Sequence, residues 1–191
     1  TQSTEPQDIT VLPLTPQRWP HLERLFGPNG CYGCWCMWYR FTNNEFKQAG
    51  KEGRRDAMQT LVQSGTEPGL IAYVDDVPAG WVTIAPREQY ARLRTARTKA
   101  RVDDQPVWSI PCFFVHRSFR RQGLMKVLLL AAVDHARNKG ATIVEAYPYD
   151  GQDKRESASL FMGVASVFRV LGFVEVARFA QSSPILRLKL D

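Results

Sequence analysis

The sequence predicts a single α/β (α+β) domain over residues 1–191, with a mixed, mostly antiparallel sheet and a central βαβ unit flanked by helices. Three observations point there. The apolar run "VWSIPCFFV" (107–115) precedes an amphipathic stretch at about 122–138 and then "TIVEAY" (142–147). That order demands a right-handed crossover and a locally parallel pair. Short strand-like runs joined by tight turns flank the unit and supply antiparallel neighbours. A chain of 191 residues, 44% hydrophobic and 23% charged, fills one core and would be cramped as two domains.

The elements follow in order. "ITVLPL" (9–14) alternates as a first strand, and Pro13 puts it at a sheet edge or a strand end. Thr15-Pro16 opens a helix carrying Trp19, Leu22, Leu25 and Phe26 at helical spacing, and Gly27-Pro28-Asn29-Gly30 stops it. A helix from about 53 to 64 presents Ala57, Met58, Leu61 and Val62 as its inner stripe. "LIAYV" (70–74) and "GWVTIA" (80–85), joined by Asp75-Asp76-Val77-Pro78, form a hairpin. After the strand at 107–115, the helix over about 122–138 has Leu124, Val127, Leu128 and Ala131 on one face and ends at Lys139-Gly140. Pro148 halts the strand at 142–147, a helix spans about 157–171 up to Gly172, and "FVEVARF" and "PILRLKL" close the chain as strands.

A balance of 25 Lys+Arg against 19 Asp+Glu, net charge +6, favours anionic partners. The run Arg87, Arg92, Arg94, Arg97, Lys99 and Arg101 reads as a solvated helix face or loop. With no nucleic-acid reading motif, and with the aromatics clustered elsewhere, nucleic acid is not the expected partner. The longest apolar run, 127–133, falls far short of the about 20 residues a membrane span needs, and "TQSTEPQD" lacks the layout of a secretory leader. A cytoplasmic protein with no membrane partner is the expectation.

The stretch "HRSFRRQGLMK" (116–126) places Arg117, Arg120, Arg121 and Lys126 around Gly123 between a strand and a helix. A helix start leaves backbone N–H groups without partners, glycine lets a ligand approach, and the cations add counter-charge: together, an anion cradle. It is neither the P-loop nor the dinucleotide Gly-x-Gly-x-x-Gly pattern. Arg120-Arg121-Gln122-Gly123-Leu124-Met125 resembles motif A of the GNAT superfamily of acyl-CoA-dependent N-acetyltransferases. The order of elements is similar to that family's over nearly the whole chain, and "VLGF" (170–173) sits where relatives carry Leu-Gly-Phe.

The resemblance implies a sheet whose two parallel strands splay, acetyl-CoA as co-substrate, and no metal. Its pyrophosphate would rest on Arg120, Arg121, Gln122, Gly123, Leu124, Met125 and Lys126, chiefly their backbone amides. The pantetheine arm would pair with the main chain of Phe113, Phe114 and Val115, in a strand where Pro111 suits a bulge. The Phe113 amide would stabilise the oxyanion of a tetrahedral intermediate as a primary amine attacks directly. The chain departs from the family pattern at Met125 (a small residue in relatives), Phe168 (a tyrosine acid), Phe161 (an asparagine) and Ser109 (a glutamate base). The proton chemistry then falls to Glu145 as base through water, with Tyr147 as acid or polariser and His116 nearer the pyrophosphate. Because the usual acid and base are missing, a catalytically silent acyl-CoA-binding or sensor domain is the alternative.

"CYGCWCMWYR" (31–40) admits several readings: a zinc site completed by Cys112 or His21, a redox disulfide, buried thiols, or an acceptor wall. The resemblance implies the last, with Trp35, Trp38 and Tyr39 around a small amine or peptide amine whose cation meets ring faces. A homodimer is compatible with the sequence.

Overall fold

The computed structural model describes residues 7–151 and 161–191. Seven strands, β1 (Ile9–Pro13), β2 (Gly69–Val74), β3 (Val77–Pro86), β4 (Trp108–Val115), β5 (Ile143–Ala146), β6 (Val174–Ala180) and β7 (Ser183–Lys189), form one sheet. Their order is β1-β2-β3-β4-β5-β7-β6, antiparallel except for β4 and β5. Helices α1 (Trp19–Phe26) and α2 (Asn43–Gln63) pack on one face; α3 (Leu124–Asn138) and α4 (Ala165–Val170) pack on the other.

The parallel pair positions the site. β4 and β5 pair only through Trp108↔Val144, Ser109↔Glu145 and Ile110↔Ala146, and β4 then runs on to Val115 paired with β3 alone. Pro111 has no N–H to offer a partner strand. A bulge accompanies it: Thr83 pairs with Cys112 but Ala85 with Ser109, one more residue on β4 than on β3. Ile110 and Phe113 therefore share the α3 face, while Cys112 and Phe114 turn toward α1 and α2.

The structure differs from the sequence reading at four places. Helix α2 begins ten residues earlier, at Asn43, because Thr42 and Glu45 form a reciprocal capping box, and the helix kinks at Gly50 (φ 63°) rather than starting near it. The hairpin turn is Asp75-Asp76 alone, with φ of 48° and 62°, the left-handed pair that suits a twisted two-residue loop; Val77 and Pro78 belong to β3. Helix α4 is short. Of the predicted 157–171, residues 157–160 lie outside the described residues, and 161–164 are not helical. Val164 instead makes a parallel bridge with Tyr149, and the Tyr149 N–H donates to Gly163 O at 2.8 Å. The basic run folds as 3₁₀ turns (Arg87–Gln89, Ala91–Arg94, Arg97–Lys99), and Arg87, predicted on a solvated face, is buried. Among the described residues no helix is long and apolar enough to cross a membrane.

Candidate active site

Where β4 leaves β5, a cleft of about 340 Å³ opens toward the start of α3. Phe113, Phe114 and Val115 line its strand side; Arg120, Arg121, Gly123, Leu124 and Met125 line its turn side. Gln122 and Lys126 are exposed and do not line it, and Gln122 directs its amide back to Ser118 O at 3.3 Å. The turn is fixed by its own contacts. The His116 Nδ1 accepts the Ser118 N–H at 3.3 Å, and Arg120 Nε donates to Val115 O at 3.1 Å. Arg121 (φ 62°) and Gly123 (φ 76°) both take left-handed angles. A Cβ at Gly123 would meet open space, so backbone angle, not crowding, calls for glycine there. Among the described residues no backbone hydrogen bond is donated by the N–H groups of Arg121, Gln122, Gly123, Leu124 or Met125. These are the donors that a helix start leaves over.

The Phe113 N–H points into the splayed gap, where it donates to the carbonyl of Phe161 at 2.5 Å. In this structure the chain itself holds the amide assigned to an oxyanion.

Beside the cleft lies a second cavity of about 370 Å³, walled by Trp38, Tyr39, Phe46, Tyr90 and all four cysteines. Tyr32, Phe114 and Phe161 line both spaces, which meet at these rings. Trp35, predicted for this wall, is instead core: it is buried, stacked on Trp19 at 5.9 Å and edge-on to Phe26 at 5.7 Å. The backbone explains the sorting. Gly30, Cys31, Tyr32 and Gly33 take left-handed angles in succession, as do Trp35 and Cys36. This coil is unfavourable for side-chain-bearing residues but turns Cys31, Cys34 and Cys36 toward one cavity.

The thiols are free, and no group of three or more metal-ligating side chains is gathered among the described residues. They differ in acidity. The neighbouring Cys112 thiol holds Cys36 below the usual thiol range, helped by the Trp81 indole N–H (3.2 Å to Sγ) and opposed by burial. The nearby Cys36, with burial, pushes Cys112 up; burial pushes Cys31 up and Cys34 to about 11. Cys112, Phe46 and Tyr90 escaped the sequence reading as wall residues. Only Cys112 left a signal, sitting two before Phe114 on the same strand face.

Glu145 and Tyr147, assigned the proton chemistry, line neither space. Glu145 is buried, and its Oε1 accepts from Arg87 at 3.0 Å and from the Tyr147 hydroxyl at 2.7 Å. Its Oε2 accepts from Arg187 Nε at 2.7 Å, and Arg187 also grips Asp103. Arg87 further donates to Leu93 O and Lys99 O, tying the 87–101 segment over the sheet. Both oxygens are thus committed to structural partners, which corrects the reading of Glu145 as base. Burial and the adjacent Glu145 charge push the Tyr147 phenol well up, and its oxygen also meets Ser109 at 2.7 Å, so it is corrected to a member of the same network.

Solved structures share this architecture. One is a PaiA N-acetyltransferase from Thermoplasma acidophilum in complex with coenzyme A (14% identity, TM-score 0.53, covering 96% of this chain and 99% of that one). Another is the aminoglycoside N-acetyltransferase AAC(6')-Iy in complex with CoA (19%, 0.53, 91% and 93%). A third is the NatC complex bound to Gag peptide and CoA (13%, 0.54, 96% and 99%). At these identities the likeness is one of fold. Among curated proteins the chain has no match by sequence. The model of the acetyltransferase (GNAT) family matches residues 35–158, which take in the capped helix, the splayed strands and the turn before α3; the chain belongs to that family.

Proposed function

We propose that this protein transfers an acetyl group from acetyl-CoA to a primary amine by direct attack on the thioester. The observation that carries the reading is the junction of the two spaces at Tyr32, Phe114 and Phe161, with the cleft along β4 and the turn before α3 on one side and an aromatic cavity on the other. The residues present fit the co-substrate. N–H groups at the start of α3 with no backbone partner among the described residues, with Arg120 and Arg121 beside them, suit a pyrophosphate, and the β4 edge beyond its β5 pairing suits an amide-bearing arm once Phe113 leaves the Phe161 carbonyl. When bound, the thioester supplies an activated acetyl group. The Phe113 N–H passes from the Phe161 carbonyl to the acyl oxygen, where it stabilises developing negative charge. Trp38 and Tyr39 exclude water around the amine. Cys36, which lines the acceptor cavity and is held toward thiolate, is the group assigned to take the amine's proton. The departing thiolate is a good leaving group and asks for less help.

The test is a calorimetric titration of CoA against the wild type and Gly123→Glu, followed by thiol release with an amine panel. Gly123→Glu sets a carboxylate at the anion cradle and is expected to abolish CoA binding; unchanged affinity would move the cofactor elsewhere. A second reading, a silent acyl-CoA-binding domain, is favoured by one observation: no carboxylate or imidazole lines either space among the described residues. CoA binding without thiol release for any amine would select it.

A further inference from the structure

The acceptor cavity carries a charge pattern that restricts what enters it. Arg54 is the single arginine or lysine of its lining, and no aspartate or glutamate joins it there among the described residues. Three wall rings already have a guanidinium on one face. Arg54 lies 3.7 Å from the centre of Phe46, Arg92 3.8 Å from Trp38, and Arg40 4.9 Å from Tyr90. Each arginine is pinned: Arg54 donates to Gly33 O at 2.6 Å and Phe46 O at 3.0 Å, Arg40 to Pro68 O at 3.3 Å, and Arg92 to Trp38 O.

This arrangement reverses the expectation that the rings await a cationic amine. A ring attracts a cation through its negative face, and a guanidinium already seated there weakens that attraction for a second cation. Inside an apolar cavity the mutual repulsion of like charges is felt more strongly than in water. A polycationic acceptor would need carboxylates along the wall, and these are missing from the lining described.

Resting on the acetyl-transfer reading for the reacting end, we propose that the acceptor is a compact monoamine with an apolar, ring-bearing body, and that a carboxylate on that body is favoured over a second ammonium. The volume of about 370 Å³ suits a body of one or two rings. The reacting amine points to the junction at Tyr32, Phe114 and Phe161, and the rest of the body lies against the wall to which Arg54 and Phe46 contribute.

A matched trio tests this: benzylamine, 4-(aminomethyl)benzoate and p-xylylenediamine, which share a reacting amine and differ only at the far end. With saturating acetyl-CoA, thiol release is expected to give kcat/KM for benzylamine and the benzoate about tenfold or more above the diamine, the benzoate highest. Arg54→Gln should narrow the gap between benzoate and diamine while leaving the KM for acetyl-CoA unchanged; Arg92→Gln should shift the ratio the same way if the first variant fails to fold. A diamine that matches or beats the others, or a flat series, overturns the proposal.

The same amines are also titrated against the protein by tryptophan fluorescence, with and without CoA, since Trp38 lies in the wall. If CoA binds but nothing turns over, acetyl transfer fails as a reading, while the order of affinities still decides the charge preference. Absence of binding by all three overturns it.

Discussion

Cys36 shows how one position acquires a property its residue type does not confer. A buried thiol ordinarily holds its proton more firmly, as Cys31 and Cys34 do here. At Cys36 the neighbouring Cys112 thiol and the Trp81 indole outweigh burial and lower its pKa, while burial raises those of Cys31 and Cys34. Brief exposure to a small thiol-reactive reagent at neutral pH, followed by peptide mass mapping, should therefore label Cys36 ahead of Cys31 and Cys112. Equal labelling of all three would remove the thiolate and with it the proposed proton acceptor. The spacing Cys-x-x-Cys-x-Cys was plain in the chain; the indole that sets Cys36 apart comes from β3, 45 residues away.

At the scale of elements, the ties between strands and the segments that cover them carry the stability. Glu145 on β5 neutralises Arg87 and shares Arg187 with Asp103, so removing its charge leaves the buried Arg87 without a carboxylate. Glu145→Gln is expected to cost about 3–5 kcal/mol of stability by urea unfolding, with the KM for acetyl-CoA unchanged in the folded fraction. Intact stability with collapsed turnover would return the carboxylate to the chemistry. Asp150, beyond the end of β5, makes a second tie by bridging Arg169 of α4 and Arg178 of β6, and these hold its carboxyl below the usual range. A lowered folded pKa means the contribution is present above the ordinary carboxylate value and lost as pH falls through the lowered one. The melting temperature should thus drop below about pH 4, and less steeply in Asp150→Asn, once the wild type and variant are compared by calorimetry. Equal slopes would mean that the bridge contributes nothing.

Across the whole molecule, the cleft joins β4 to the turn before α3, so a ligand there links the sheet to its covering helix. CoA at about 100 times its Kd should raise the unfolding free energy by about 2.7 kcal/mol in denaturant titrations, and by nothing in Gly123→Glu. An unchanged wild type would contradict binding at the cleft. Much of this architecture was legible in the chain. Apolar periodicity marked the strands and α3, and the strand–glycine-turn–helix order marked the cradle, because both are local patterns of spacing and backbone angle. Thr42 and Glu45 also spelled the true start of α2 in their capping-box spacing. What the tertiary structure alone decided is which side chains face one another. Glu145 and Tyr147 looked like chemistry along one strand face, but Arg87 and Arg187 arrive from distant segments and commit the carboxylate to the fold. Trp35 and Trp38 looked equivalent, yet left-handed backbone angles send one to the core and the other to the cavity. Local spacing determines the backbone path, because hydrogen bonding and burial repeat along it. Charge pairing and cavity walls depend on residues far apart in the chain, and only the closed sheet brings them within reach.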